Sequence, residues 1–495
     1  MKGYAGALLR ANLSTGHIAK VPTDAYADLF LGGRGIAARV HWDEVPPGCD
    51  ALDPENRLTF MTGLICGVPG FSGSRWEVCG KSPIHDQFSY ANLGGSWGAQ
   101  LKFAGYDGLI VEGKADGPVY LWVNNDGVEI RDAAHLRGMG AIATRERLKE
   151  ELGKSARVAA VGPAGENRVT FATLLADNDS SGSSGLGAVM GSKNLKAIAV
   201  RGQGKVETAS SEKVDELRRR VRELNASKAE LIRDFVETAD KTKLKKDVCY
   251  GCVDGCVRAT YEGPEGQSGK FFCQPSYFYQ TRAQRYYGQA NDVPFQAAKL
   301  CDDYGVDTRA VETMIMWLSR CHKSEILTEE RTGIPLSTMG SMEFIETLVR
   351  KIAFREGFGD VLAEGTVRAA EIVGQESDRF ITDYMISTGE NSVYGPRLYL
   401  TTGILYAMEP RMPIQQLHEI SVQLVMWALT QMGLDKMYLT SEVLRAIAKR
   451  FWGSEIAADS PLSRGRPWPR PRFRTDNMRR SASFCVTSPG RSPTA

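Results

Sequence analysis

Apolar positions in the first two hundred residues come in short runs rather than in helical stripes. Residues 109–112 and 119–123 are such runs. The second leads through Asn125, Asp126 and Gly127 into residues 128–130, and apolar runs joined by an Asn-Asp-Gly turn predict a β-hairpin. Residues 158–161, 169–175 and 195–200 predict further strands. Few long helical patterns intervene, so residues 1–205 are expected to form a mixed or antiparallel β-rich domain. After Lys205 the period changes. Ser211 is placed to cap a helix whose apolar residues Val214, Leu217, Val221 and Leu224 recur at helical spacing. Similar patterns return at 292–303, 308–321, 341–354 and 414–433, which makes residues 206–459 a mainly α-helical domain. The fold class expected is α+β. Residues 460–495, rich in arginine and proline and without periodicity, predict a disordered basic tail.

Composition adds little beyond ordinary globularity: 42% of the 495 residues are hydrophobic and 24% charged. No apolar run approaches the ~18 residues of a bilayer span, and the first residues lack the pattern of an export signal. The expected location is therefore cytoplasmic, with no membrane partner. The net charge of +2 conceals an asymmetry. Residues 460–495 carry eight arginines against one aspartate, so the rest of the chain is mildly acidic, which gives no support for nucleic-acid binding.

The ten cysteines are accordingly expected as thiols or metal ligands rather than as disulfides. Cys249, Cys252 and Cys256 form C-x2-C-x3-C within CYGCVDGC. Thiolates at this spacing can wrap one face of a [4Fe–4S] cluster, and Gly251 and Gly255 let the backbone turn tightly around it. A zinc site and three incidental buried thiols are the alternatives, although no histidine lies nearby in sequence to complete a zinc site. Histidines offer little elsewhere: His85 and His418 could each supply a proton, but such a histidine is more often a packed, hydrogen-bonded side chain.

Three glycine-rich segments could cradle phosphate through their backbone amides: residues 70–83, 92–98 and 182–196. None has the spacing of a Walker A loop. The Gly185, Gly187, Gly191 pattern lacks the βαβ context of a dinucleotide fold. Three such loops in one domain point to an anionic cofactor.

Taken in order, the segment SRWEVCGKSPIHDQFSYANLGGSWGAQLKFAGYDGLIVEGKADGPVYLWV, the later SSGLGAVMGSKNLKAIAVRG, CYGCVDGC and DDYGVDT resemble the aldehyde:ferredoxin oxidoreductases over residues 3–459. The resemblance implies a pterin-binding N-terminal domain and a bis-pyranopterin cofactor carrying tungsten or molybdenum, with magnesium bridging the pterin phosphates. It assigns Arg75, Asn92, Gly94 and Gly95 to the first phosphate loops and Gly185 and Gly187 to the later one. Asp302, Gly305 and Asp307 match a D-x-x-G-x-D motif that contacts a pterin. A [4Fe–4S] cluster on Cys249, Cys252 and Cys256 would relay electrons to a ferredoxin or an iron–sulfur subunit. The substrate implied is an aldehyde, oxidised to its acid, or an acyl-CoA thioester, and a homo-oligomer is compatible with the family.

The chain departs from the family pattern in three places. Ser183 stands where an arginine is usual. Cys273, within FFCQPSYFY, replaces a glutamate near the metal. It resembles the metal-ligating cysteine in the tungsten subunit of ATP-independent benzoyl-CoA reductase, and so becomes the candidate catalytic residue. The C-terminal domain of the family is expected to be missing, and residues 460–495 read as an aberrant, frame-shifted tail. From Arg474 onward, shifted codons permit DRQYAKECLILCD, a sequence resembling the family's fourth-cysteine segment, which makes Cys485 an accidental cysteine. An inactive truncated relic and a zinc-stabilised interaction module are the competing classes.

Overall fold

A computed structural model of the chain describes residues 1–84, 86–226, 241–253, 258–271, 277–381, 385, 386, 389, 390, 400–412, 427 and 440–455. Two compact units divide the chain, Met1–Asn391 and Ser392–Ala495.

The first unit begins with two six-stranded sheets. Strands β1 (Ala7–Asn12), β2 (Ile18–Pro22), β3 (Leu58–Thr62), β4 (Trp76–Ser82), β5 (Gln87–Leu93) and β6 (Gly108–Glu112) lie in the order β2-β1-β6-β3-β4-β5. Strands β7 (Val119–Asn124), β8 (Gly127–Asp132), β9 (Arg157–Val161), β10 (Leu174–Ala176), β11 (Ser180–Gly182) and β12 (Leu195–Arg201) lie in the order β11-β10-β9-β12-β7-β8. The β1–β6 and β7–β12 pairs are parallel and the others antiparallel.

Strand period two explains why these segments look apolar throughout. Leu9, Leu109, Leu121, Val123, Ile198 and Val200 point into a core shared by both sheets. Their neighbours point the other way and are also covered. Leu8, Met61 and Ile110 pack under the helix Gly33–Glu44, and Tyr120, Trp122, Ala197 and Ala199 pack with the helix Ala141–Leu152. Sheets buried on both faces lose the in–out alternation that marks a half-exposed strand. Trp76 and Trp97 sit in the shared core with ring centroids 4.3 Å apart, and the Trp97 indole donates to the Ile198 carbonyl at 3.1 Å.

Helices then dominate. The Val293–Tyr304, Thr308–Lys323 and Met342–Phe354 helices match their apolar periodicity and share one core. The helix Ser211–Ala226 also forms, but Ser210, not Ser211, caps it, its hydroxyl accepting from the Lys213 amide at 3.2 Å. Its Leu217 is exposed. Strand structure within 169–175 is confined to the end of the stretch, because residues 170–173 bond elsewhere. The Thr170 amide donates to the Ala363 carbonyl and the Thr173 amide to the Gly305 carbonyl, at 3.0 and 2.8 Å. These bonds dock the helical region onto the β region.

In the second unit the helices Leu400–Met408 and Ser441–Trp452 are described. Thr440 caps the latter, and Gly453 ends it at φ 71°. The helix expected at 414–433 and the tail 460–495 lie outside the described residues, apart from the helical residue Trp427. No described helix is long and apolar enough to cross a membrane.

Candidate cofactor site

The cysteine motif is the loop of a small hairpin. Strands β13 (Leu244–Lys246) and β14 (Ala259–Glu262) pair antiparallel, with Lys246 opposite Ala259. The Asp247 amide donates to the Arg258 carbonyl at 3.3 Å, and Arg258 Nε lies 2.5 Å from Asp247 Oδ2. Cys249 and Cys252 therefore lie just beyond a closed neck.

That loop lies on the turn after β5. A Cβ on Gly94 would stand 2.7 Å from Cys249 Sγ, so no larger residue fits there without displacing the thiol. The Tyr250 amide donates to the Gly95 carbonyl at 3.0 Å. Gly95 itself has φ +78°, and a Cβ would press to 2.6 Å of the Asp177 carbonyl. On the opposite side, a Cβ on Gly251 would meet Pro69 Cα at 2.6 Å, and the Gly70 amide donates to the Gly251 carbonyl at 2.7 Å. Cys249 and Cys252 are free, half-buried thiols, and Cys252 Sγ lies 3.8 Å from Ser72 Oγ. Cys256 and Cys273 lie outside the described residues, as do His85, His418 and Cys485. Among the described residues no three His, Cys, Asp or Glu side chains converge on a metal-sized site.

The segment Asp177 to Ser180, which the sequence reading did not single out, joins the motifs. The Ser180 hydroxyl accepts from the Gly94 amide at 2.6 Å. Asn178, in the left-handed region at φ 56°, donates to Asp247 Oδ1 at 3.4 Å. Asp179, at φ 48°, accepts from Arg145 Nη2 at 2.6 Å, Lys299 Nζ at 2.9 Å and the Lys270 amide at 2.9 Å. Lys299 in turn donates to Asp302 at 2.6 Å. Burial alone would raise the Asp179 carboxyl, but Lys299 and Arg145 outweigh it and hold the group well below the usual carboxylate range. Burial likewise opposes charge on Lys299, yet Asp302 and Asp179 push its pKa up. Burial raises Asp177 against the nearby Lys149 and Arg157. A run of acids and serines just before a glycine-rich segment was the available signal; its partners, at 94, 145 and 299, are remote in sequence.

The remaining predicted residues divide in two. Gly185, Gly187 and Gly305 are set by close packing. Gly185 (φ +66°) abuts the Thr170 carbonyl, Gly187 abuts that of Thr173, and Gly305 (φ +78°) donates no side chain to a crowded contact with Gly162. Asp307 caps the Thr308–Lys323 helix by accepting from the Arg309 amide at 2.8 Å. Asn92 and Arg75 lie beside the cysteine-loop contact. Arg75 is exposed, and Asn92 Oδ1 is buried without a hydrogen-bond partner. Arg258 Nη2 is likewise buried and unpartnered. The glycine turn filled by the Cys249 thiol, with Cys252 close by in the same loop, fits a metal cluster held on this loop.

The fold is a two-part α+β scaffold whose glycine turn and cysteine loop interlock, and comparison identifies its family. The model for the N-terminal domain of aldehyde ferredoxin oxidoreductase matches residues 8–202, and the model for domains 2 and 3 matches residues 190–449. The tungsten-containing aldehyde ferredoxin oxidoreductase of Pyrococcus horikoshii is 36% identical over 422 residues, covering 75% of this chain and 68% of that relative. The protein of the same name from Pyrococcus abyssi is 34% identical over 465 residues, covering 83% and 74%. A solved structure, the active site complex BamBC of benzoyl coenzyme A reductase with 1,5-dienoyl-CoA, matches with a TM-score of 0.74 at 30% identity, covering 83% of this chain and 69% of that one. The chain belongs to the aldehyde ferredoxin oxidoreductase family.

Proposed function

We propose that this chain is a pterin-dependent oxidoreductase carrying tungsten or molybdenum, with a [4Fe–4S] cluster on Cys249, Cys252 and Cys256. Its substrates are aldehydes or acyl-CoA thioesters, and its electron partner is a ferredoxin or an iron–sulfur subunit. Residues 1–205 form the pterin-binding domain and 206–459 the helical domain. The observation that carries this reading is the convergence of three distant motifs on the segment Asp177 to Ser180. Gly94 and Cys249 meet beside it, and Asp302 is tied to it through Lys299. The tungsten in the names of the relatives supports the choice of metal.

When bound, the metal–pterin supplies the two-electron step and the cluster single-electron transfer. The chain supplies placement. Gly94 and Gly95 keep the backbone low enough for the cysteine loop to close, and Asn92 and Arg75 offer polar groups to phosphate and its magnesium. Lys299 holds the Asp302 carboxylate, which would contact the pterin, and Gly185, Gly187, Gly305 and Asp307 would shape the loops that receive it.

Cys273 in place of a glutamate favours the acyl-CoA arm, and the benzoyl-CoA reductase likeness supports that preference. Protein purified without oxygen should oxidise an alicyclic acyl-CoA with oxidised viologen as acceptor, or reduce an aromatic acyl-CoA with reduced viologen as donor, faster than it oxidises simple aldehydes. Cys273→Ala should abolish that turnover and leave iron content unchanged. Fast aldehyde oxidation unaffected by Cys273→Ala would contradict the substrate assignment.

A further inference from the structure

The contacts that seat the cysteine loop end in an exposed rim. Cys252 Sγ lies 3.8 Å from the hydroxyl of Ser72, an exposed residue. At the next position, Gly73, a Cβ would stand 2.6 Å from Ile65 Cγ1, so Ile65 fills the space beside Ser72. Ile65 is nevertheless 48% exposed. The Gly70 amide holds the Gly251 carbonyl, and Arg218 lies across Gly70, its Nε donating to the Pro69 carbonyl at 2.6 Å. That bond sets the helix Ser211–Ala226 beside the loop. Leu217, the residue before Arg218, is 53% exposed. Neither Ile65 nor Leu217 belongs to any of the apolar cores. The same helix is cationic here, since residues 218–222 read RRRVR. Arg218 pairs with Asp215 and Arg220 with Glu223. Arg219 and Arg222 are exposed and have no ion pair among the described residues. Residues three and four apart are neighbours on a helix, so Arg222 follows Arg218 and Arg219 along one edge.

We propose that this rim is the docking surface for a separate, acidic ferredoxin, with Ile65 and Leu217 as apolar contacts and Arg219 and Arg222 as the cations that steer it. This rests on the cluster assignment proposed above. One electron leaves the reduced cluster and reduces the oxidised cluster of the ferredoxin, and no atom is transferred. The charge pattern favours an acidic partner. The chain before residue 460 is mildly acidic, so such a partner is repelled over most of the surface and drawn to the arginine edge. The size of the rim favours a passing partner over a permanent subunit. Two separate apolar side chains among cations suit the weak redox encounters that bury less than about 1,200 Å², whereas a permanent interface presents a broad apolar face.

Two electron acceptors separate the surface from the chemistry. The full chain, purified anaerobically and reduced with titanium(III) citrate, is desalted and mixed by stopped flow with excess oxidised acidic two-[4Fe–4S] ferredoxin. A parallel reaction uses oxidised benzyl viologen, which needs no docking surface. The double variant Arg219→Glu and Arg222→Glu should slow ferredoxin reduction about tenfold at low salt and flatten its salt dependence. Its viologen reduction and iron content should match wild type. Leu217→Ser should slow ferredoxin reduction about threefold and keep the wild-type salt dependence. Lys323→Glu, at an exposed position ending the helix Thr308–Lys323, should behave as wild type. Wild-type ferredoxin rates in both rim variants, or a Lys323→Glu protein as slow as the arginine variant, would overturn the proposal. So would a chain that elutes as a dimer and becomes a monomer on Leu217→Ser, which would give the rim to a second copy. Wild-type protein that holds no iron and reduces neither acceptor would refute the cluster assignment on which the surface depends.

Discussion

Cys249 Sγ stands 2.7 Å from the point a Cβ on Gly94 would occupy. The contact gives the glycine a steric reason independent of backbone conformation. Overpacking of this kind costs about 1–3 kcal/mol. Gly94→Ala is therefore expected to push the cysteine loop away and weaken cluster retention by roughly tenfold. Gly117→Ala, with open space around the new methyl group, should retain wild-type iron. Iron per chain after gel filtration checks both; equal iron in the two variants would count against the interlock.

Asp179 neutralises two buried cations, Arg145 and Lys299. Removing one member of a buried ionic cluster leaves uncompensated charge, at about 3–5 kcal/mol. Asp179→Asn should lower the denaturant midpoint accordingly. Lys299→Met should also destabilise, and the double variant should cost less than the sum, because the two share one interaction. Additive losses would show that Asp179 and Lys299 act separately.

His41, on the helix Gly33–Glu44, packs 5.0 Å from the Phe88 ring, and its Nδ1 is buried without a partner. Burial, and then Lys81, lower its pKa to about 4. The unfolded chain takes up this proton near pH 6.5 and the folded chain only near pH 4. Stability from the neutral ring is therefore complete above pH 6.5 and is lost as pH falls from there toward 4. His41→Gln, which cannot titrate, should flatten that part of the curve of unfolding free energy against pH relative to wild type. Parallel curves for the two proteins between pH 4 and 6.5 would refute the assignment.

Local signals carried much of this architecture. The Asn-Asp-Gly turn marks the β7–β8 hairpin because its residues suit the positive φ that such a turn needs, and Asn125 has φ 51°. The helices at 293–304 and 308–323 announce themselves by one buried stripe each. The helix Gly33–Glu44 is harder to see: it begins at glycines, has no side-chain cap, and buries only Ile36, Ala37 and Val40. The apolar stretch 169–175 looks like a strand, but its hydrogen bonds go to Gly305 and Ala363, partners that no local pattern reveals. The glycine and cysteine motifs were legible as separate pieces. Their meeting on the segment Asp177 to Ser180 was not, because it depends on ion pairs and hydrogen bonds across a hundred or so residues of chain, such as Lys299 with Asp179.

Metal content tests the central claim most directly. Protein purified without oxygen, analysed for tungsten, molybdenum, iron, zinc and acid-labile sulfide, is expected to hold tungsten or molybdenum together with iron and sulfide. Cys252→Ser is expected to lose the iron and its sulfide. Zinc as the sole metal, or the absence of every one of these metals from folded protein, would contradict the account.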